Sequence, residues 1–209
     1  DLLNPQLRAL AAALGPAYMR ISGTWANTTY FAESDQAPST PPDGFTAVLS
    51  RERWKAVIDF AHTVNAEIVT SMAISPGVRD AAGPWQDDQA RRFIAYTRSV
   101  GGRIAAAEFM NEPTLPAIGG APKGYNAAAY GRDFKTFRAS IKTSDLDVIV
   151  LGPGSAGETT ASASSVHPGS ETVSTRDILA ASGRGIDAFS YHHYGAVSQR
   201  CSGIPGQIT

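Results

Sequence analysis

The residues best suited to chemistry are a carboxylate and an amide at the end of one apolar segment. Residues 104–110 predict a buried strand, and this strand runs directly into Asn111, Glu112 and Pro113. An apolar run can occupy the interior of a parallel sheet, and a proline ends it. Glu112 would be partly desolvated there, which favours the protonated form that can donate a proton near neutral pH. The sequence therefore predicts Glu112 as a general acid/base, against the alternative that the tripeptide is an ordinary turn.

Helices and short apolar strands alternate along the chain, which predicts a parallel α/β fold. The five predicted strands cover residues 17–21, 66–74, 104–110, 146–151 and 186–191, and the fourth is ended by Gly152-Pro153-Gly154. Five helices are predicted. The first lies between the cap Asn4 and Gly15, the second begins after the cap Ser50, and the third and fourth lie around residues 90–97 and 130–141. The fifth begins after the cap Ser174 and ends at Gly183. Apolar stripes at helical spacing are formed by Leu7, Leu10 and Leu14 and by Tyr130, Phe134 and Phe137, the latter predicted as core. Residues 33–47 and 155–173 are polar and predict exposed loops.

This order of elements predicts part of a (β/α)8 TIM barrel. A complete barrel needs eight strands and eight helices in about 250 residues, so residues 1–209 would be a partial catalytic barrel covering roughly strands two to six. The remaining strands, and any attached β-sandwich domain, would be absent from the chain. The alternative is a doubly wound sheet, which would carry a glycine-rich fingerprint after its first strand. Residues 22–25, Ser-Gly-Thr-Trp, do not form that fingerprint.

Polar side chains collect where three of the predicted strands end. These ends are Ser22-Gly23-Thr24, Asn111-Glu112 and His192-His193-Tyr194. In a barrel, the loops after the strands build the active site, and neutral hydrogen-bonding groups around a carboxyl suit a sugar. Asn111 could hold a sugar hydroxyl in an interaction that strengthens in the transition state. His192 and His193 point to opposite sides of their strand, so at most one of them enters the barrel.

The other candidate residues fit a catalytic function less well. Glu108 lies inside a strand and Glu158 lies in a polar loop, so only one convincing acid remains where a glycosidase needs two. Arg79, Lys123 and Arg132 are candidates for binding a sugar carboxylate, with a solvated surface as the alternative. No other His, Cys or paired acid falls at ligand spacing, so neither a metal nor a cofactor is predicted.

Composition narrows the partners. The net charge of −1 and the pI near 6.5 do not favour nucleic acid, and no run approaches the length of a membrane span, so no membrane insertion is predicted. The single cysteine, Cys201, excludes an internal disulfide. No signal peptide is recognisable at the start of the chain. Asn27-Thr28-Thr29 fits a glycosylation acceptor triplet, a pattern that is common by chance.

The segment from Leu7 to Phe31 resembles heparanase and its relatives in glycoside hydrolase family 79, the β-glucuronidase group of the Asn-Glu barrel clan. The resemblance rests on residues 15–24, Gly-Pro-Ala-Tyr-Met-Arg-Ile-Ser-Gly-Thr, on Asn111-Glu112-Pro113, and on residues 190–194, Ser-Tyr-His-His-Tyr, in the same order. It extends from residue 5 to about residue 195. The resemblance implies retaining hydrolysis of β-glucuronides in oligosaccharides or glycosaminoglycan-like glycans. Because the sequence has no strong basic cluster, it favours a small glucuronide or a less sulfated glycan as the substrate over a long sulfated one.

The resemblance also implies the functions of individual residues. Glu112 would be the acid/base, Asn111 would bind the sugar 2-hydroxyl, Thr24 would contact the sugar, and His193 and Tyr194 would line the site near the nucleophile. The nucleophilic glutamate would lie beyond Thr209, and a second chain could supply the missing strands. The resemblance further implies a secreted, periplasmic or lysosomal-type compartment.

Two other functions remain open at the level of sequence. One is a barrel hydrolase of the same clan that acts on xylosides or arabinosides. The other is a non-catalytic carbohydrate-binding relative, which would keep the pocket but would have lost the nucleophile.

Overall fold

Five parallel strands form the main sheet of the computed structural model, which describes residues 2–156 and 171–193. In sheet order they are β1 (Ala17–Ile21), β4 (Ala66–Ser71), β5 (Ile104–Glu108), β6 (Ile149–Ala156) and β7 (Ala188–His192). Every neighbouring pair is parallel, and a helix lies between consecutive strands of this sheet along the chain. The strands form a half-barrel, so the predicted partial (β/α)8 barrel is confirmed. Glu158, Tyr194 and Cys201 lie outside the described residues.

The described residues contain five α-helices, and polar caps begin most of them. They are α1 (Pro5–Ala12), α2 (Arg51–Thr63), α3 (Asp88–Ser99), α4 (Ala127–Ser144) and α5 (Thr175–Ser182). The predicted caps Asn4, Ser50 and Ser174 each accept a hydrogen bond from a backbone N–H in the first turn. A side-chain oxygen at this position satisfies a backbone donor that has no partner within the helix. None of the described helices is long and apolar enough to cross a membrane.

The core lies between the sheet and helices α2, α3 and α4. Phe109, which follows β5, packs edge-on against Trp85 and Tyr130 with ring centroids 5.3 and 5.5 Å apart. Tyr130, Phe134 and Phe137 of α4 are all buried, as predicted. Burial raises the pKa of the Tyr130 hydroxyl well above its usual value, and the negative charge of Glu108 raises it further. Helix α4 therefore supports the strand that leads to Glu112.

Two details of the fold differ from the sequence-based prediction. Strand β6 does not end at Gly152 but continues to Ala156, with a shift in register between Pro153 and Ser155. A bulge tolerates a proline because the bulged residue has no ladder hydrogen bond to lose. The loop after β1 contains a short parallel pair, β2 (Thr29–Phe31) and β3 (Ala47–Leu49). The stripe of Leu7, Leu10 and Leu14, for which no burial was predicted, is exposed.

A buried ion pair joins the loop after β4 to α4. Arg79 donates to the Asp133 carboxylate at 2.7 Å, and both side chains are almost inaccessible to water. Tyr125 donates to the same carboxylate at 3.1 Å, and the Arg79 guanidinium lies 5.0 Å from the centroid of the Tyr125 ring. Arg79 was a candidate for a sugar carboxylate, but its guanidinium is committed to this structural pair. Lys123 remains exposed.

Candidate functional site

Glu112 lies four residues beyond Glu108, the last residue of β5, and it has an unusual backbone conformation. Its φ of 52° is in the left-handed region, which a non-glycine residue adopts only when its surroundings compensate the strain. The Glu112 side chain is 17% exposed, and its Oε1 lies 2.8 Å from Nδ1 of His192 on β7. The predicted acid is therefore partly buried, with a fraction of its side chain still accessible to solvent.

Asn111 is buried, and its side-chain amide has a defined orientation. Arg20 on β1 donates to the Asn111 Oδ1 at 3.0 Å. Because a guanidinium only donates, the amide oxygen must face Arg20 and the NH₂ group must face the opposite way. That NH₂ group lies 3.4 Å from the hydroxyl oxygen of Thr24, which is exposed. The predicted residues Thr24, Asn111 and Glu112 thus lie together at one end of the sheet.

The backbone of Asn111 is paired with a side chain from the loop after β1. The Asn111 N–H donates to Oδ1 of Asn27 at 2.9 Å, and the Asn27 NH₂ donates to the Asn111 carbonyl at 3.0 Å. Asn27 is fully buried. A glycan on Asn27 is therefore incompatible with this fold, because the acceptor nitrogen is enclosed and already bonded.

A second carboxylate lies inside the half-barrel, below Glu112. Glu108 is 2% exposed; its Oε2 accepts hydrogen bonds from Arg20 at 2.7 and 3.2 Å, and its Oε1 accepts one from Ser190 at 3.0 Å. Both oxygens are thus occupied and shielded from the cleft, so Glu108 cannot reach an anomeric carbon. Its charge is instead balanced by Arg20, which at the same time orients Asn111.

The two adjacent histidines have different environments. Ser190 and His192 face the inside of the half-barrel, toward Glu108 and Glu112 respectively, while His193 is exposed. The histidine that contacts the predicted acid is therefore His192 and not His193. The substrate-binding function assigned to His193 stays a prediction, and so does that of Tyr194, which lies outside the described residues.

The described part of the site combines groups that can exchange a proton with groups that can form hydrogen bonds to a ligand. Its groups are one accessible carboxylate, one imidazole, one oriented amide and the Thr24 hydroxyl. Within residues 2–156 and 171–193 no group of three or more His, Cys, Asp and Glu side chains could hold a metal ion.

Sequence reasoning did not assign functions to three residues of the site: Arg20, Asn27 and His192. The two-residue period of a strand could have identified His192, since it shares a face with Ser190, and a polar pair on the inner face indicates a site. Arg20 could have been paired with Glu108, because a charged residue inside a buried strand needs a partner. No local signal marks Asn27, whose contact is 84 residues away in the sequence.

No protein-family model and no curated protein matches the sequence, whereas several solved structures match the fold. The wild-type protein BuGH86, solved in complex with neoagarooctaose, superposes with a TM-score of 0.54 at 14% identity, over 93% of this chain and 38% of that one. The endo-1,4-β-mannanase from Rhizomucor miehei gives a TM-score of 0.51 at 16% identity, over 90% of this chain and 62% of that one. The glycoside hydrolase family 44 endoglucanase produced by Clostridium acetobutylium ATCC 824 gives 0.49 at 16% identity, over 85% and 48% of the two chains.

The chain resembles barrel glycoside hydrolases in its fold. At these identities the likeness concerns the fold alone. The chain spans less than two thirds of the length of each of these three structures.

Proposed function

We propose that this chain carries the acid/base part of a retaining glycoside hydrolase that cleaves β-glucuronide linkages. The observation that carries the proposal is the position of Glu112, which is partly buried just after β5 and follows Asn111, whose NH₂ group lies beside the exposed Thr24 hydroxyl. In a parallel barrel, the ends of the strands are where catalytic groups lie. The glucuronide preference rests on the resemblance of the segment Leu7–Phe31. Three residues of that segment, Arg20, Thr24 and Asn27, contact Asn111.

The proposed reaction has two steps. In the first, a nucleophilic carboxylate attacks the anomeric carbon while the Glu112 carboxylic acid gives its proton to the glycosidic oxygen, so the C–O bond breaks and the alcohol leaves. In the second, the Glu112 carboxylate takes a proton from a water molecule that attacks the same carbon. This releases the sugar and restores both carboxyl groups. The contact with His192 helps to hold Glu112 where it can exchange that proton.

The nucleophile is the part that the described residues do not supply. In a retaining enzyme the two carboxyl groups are about 5–5.5 Å apart, and Glu108, the other acid of the half-barrel, is enclosed. We therefore place the nucleophilic glutamate beyond Thr209 or on a second chain, on a strand that continues the sheet past β7. The same strands would provide the rest of the barrel and the rest of the sugar site.

The proposed location of the protein rests on the same resemblance, which implies a secreted, periplasmic or lysosomal-type compartment. The glycosylation triplet at Asn27 lends no support to it, because Asn27 is buried.

The proposal is tested on the complete protein that carries this chain, with 4-nitrophenyl and phenyl β-glucuronides and the corresponding xylosides, arabinosides and mannosides. Glu112→Gln should lower kcat/KM on the phenyl glycoside, which has the poorer leaving group, by about 10²–10⁴-fold, since general acid catalysis contributes that much. The loss on the activated glycoside should be much smaller. Glu67→Gln, an exposed glutamate at the start of β4, is the matched control and should leave both rates unchanged.

Each competing function has its own outcome. A preference for xylosides or arabinosides would replace the glucuronide assignment and keep the mechanism. Binding of a glucuronide without turnover, unaffected by Glu112→Gln, would identify a non-catalytic carbohydrate-binding protein.

A further inference from the structure

The backbone around Glu112 needs an external support. Glu112 has a left-handed φ of 52°, and Asn111 directly before it is buried. Strand β5 ends at Glu108, so the N–H and C=O of Asn111 lie beyond the ladder hydrogen bonds of the sheet. A buried backbone group without a partner costs about as much as a lost hydrogen bond, so both groups require partners.

We propose that Asn27 is a positioning residue for Glu112, acting through the backbone of Asn111. This inference rests on the proposed function, in which Glu112 is the acid/base. The Asn27 amide offers one acceptor and one donor, and it uses them on the Asn111 N–H and C=O at 2.9 and 3.0 Å. It therefore does for Asn111 what a neighbouring strand would do, and it restricts the peptide on which Glu112 is carried.

Asn27 is itself held firmly enough to serve this purpose. Its own carbonyl accepts hydrogen bonds from the N–H groups of Ile74 and Ser75, at 2.8 and 3.1 Å, in the loop after β4. Its side chain is fully buried. On its other side lies Gly119, where an added Cβ would come within 3.0 Å of the Asn27 amide nitrogen. The loops after β1, β4 and β5 thus meet at this one residue, the loop after β4 at its backbone carbonyl and the loop after β5 at its side chain.

The test compares Asn27→Leu and Asn27→Asp with a matched control, Thr97→Val. Leucine keeps the shape of asparagine but removes both hydrogen bonds, and aspartate keeps the acceptor but sets an oxygen against the Asn111 carbonyl. Thr97 is equally buried and also makes two hydrogen bonds, with Trp54 and Phe93, in α3 away from the site. Thr97→Val therefore measures the effect of a similar loss in the fold alone.

The activity readout is the dependence on the leaving group. With the phenyl glycoside that the wild type cleaves, both Asn27 variants should have a kcat that is lower by roughly tenfold or more. This loss is a fraction of what general acid catalysis contributes. KM and the rate on the activated 4-nitrophenyl glycoside should change much less. A variant that only loses folded protein, as Thr97→Val could, should lose activity equally on the two glycosides. Equal losses in the Asn27 variants would therefore overturn the proposal.

Hydrogen exchange gives a second readout that needs no activity. In the wild type, the Asn111 amide should exchange as slowly as the amides within β5, although it lies outside the strand. In folded Asn27→Leu or Asn27→Asp protein it should exchange at least about tenfold faster while the β5 amides do not change. Fast exchange in the wild type, or unchanged exchange in the variants, would refute the pairing.

The two readouts separate the possible failures. If Glu112→Gln itself shows no leaving-group effect, the proposed function is wrong, and exchange at Asn111 still decides whether Asn27 holds this peptide. If Glu112→Gln shows the effect but the Asn27 variants do not, the function stands and the positioning by Asn27 is wrong.

Discussion

At the scale of single residues, the candidate site depends on which side chains hold Glu112 and Asn111 in place. His192 contacts the Glu112 carboxyl at 2.8 Å, whereas His193 next to it is exposed. We therefore expect His192→Ala to lower kcat on a poor leaving group by about tenfold, the equivalent of one hydrogen bond. His193→Ala should have the smaller effect. Steady-state kinetics on the two variants checks this, and a larger loss from His193 would favour the site inferred from the sequence.

Removing Arg20 and removing Glu108 from their ion pair should have unequal effects on the free energy of unfolding. Glu108 is enclosed, whereas the Arg20 side chain is 35% exposed and can be hydrated when its partner is neutralised. Arg20→Met should therefore lower the free energy of unfolding by about 3 kcal/mol, because it leaves a buried carboxylate without its cation. Glu108→Gln should cost only about 1 kcal/mol, since the hydrogen-bonded shape is kept.

Urea denaturation of the two variants measures the difference. Arg20→Met should also reduce activity in the molecules that remain folded, because Arg20 orients the Asn111 amide. Equal costs for the two variants would show that the buried Glu108 side chain does not depend on Arg20 more than Arg20 depends on it, and would contradict this account.

At the scale of elements, the bulge in β6 is the feature that makes room for Glu108. Gly154 has a φ of 67°, and an added Cβ would lie 3.1 Å from the Glu108 Oε1. Gly154→Ala should therefore cost about 2–3 kcal/mol, which combines the strain of a left-handed alanine with displacement of the carboxyl.

Gly124→Ala is the matched control for this prediction. Its φ of 75° is similar, but a Cβ there would meet nothing within 4 Å. It should cost about 1 kcal/mol, the price of the left-handed conformation alone. Thermal or urea unfolding compares the two, and equal costs would exclude a contribution from the contact with Glu108.

A second prediction for the elements concerns Asp187, which directly precedes β7. Its carboxylate contacts Lys142 of α4 and the backbone of Val150 in β6. The hydrogen bond from Lys142 lowers the pKa of the Asp187 carboxyl, and a hydrogen bond from the Val150 N–H lowers it further. A carboxyl whose pKa is lower in the folded state stabilises the fold above its unfolded pKa of about 3.9, and the contribution disappears as the pH falls through the folded pKa. Asp187→Asn should therefore be less stable than the wild type near neutral pH.

The difference should begin to narrow below about pH 4 and should be lost as the pH falls through the lowered pKa of the folded protein, where the folded wild-type carboxyl also becomes neutral. Urea titrations of both proteins at several pH values measure this. A difference that does not depend on pH would show that the side chain acts through its shape and not its charge.

The elements were predictable from the sequence where the signal is local. Caps such as Asn4 and Ser50, and the apolar strand that leads to Glu112, have their cause within a few residues. The continuation of β6 through Gly152-Pro153-Gly154 was not predictable from the sequence, because the same residues that end an ordinary strand can also form a bulge.

The site was predictable only in part, for a related reason. Thr24, Asn111 and Glu112 each follow a predicted strand, and parallel strands bring their ends together. The pairing of Asn27 with Asn111 depends on how two loops 84 residues apart fold against each other, and no local pattern encodes that.

At the scale of the whole molecule, the half-barrel has two open edges. Within the described residues, β1 and β7 each pair with a neighbour on one side only. The outer face of β7 carries Phe189 and Tyr191, which are 58% and 64% exposed and stack with ring centroids 5.9 Å apart. An open strand beside exposed aromatic rings is a site for association.

The 209 residues expressed alone should therefore associate at micromolar concentrations, as proteins with open strand edges do. Substituting both Phe189 and Tyr191 by Lys should reduce the association. Substituting Leu10 on α1 and Leu14 just after it, which are also exposed, should reduce it less. Sedimentation velocity measures the three proteins, and a monomeric wild type would show that the edges are protected.

The central claim, that Glu112 is the acid/base of a retaining glycosidase, is tested most directly by chemical rescue. Glu112→Ala in the complete protein is given an activated aryl β-glucuronide with and without azide, and the product is identified by proton NMR. An acid/base residue predicts slow hydrolysis that azide accelerates, with a β-glucuronyl azide of retained configuration, because azide attacks the intermediate from the side that Glu112 serves. An α-configured azide would make Glu112 the nucleophile, and undiminished hydrolysis without azide would remove Glu112 from the reaction.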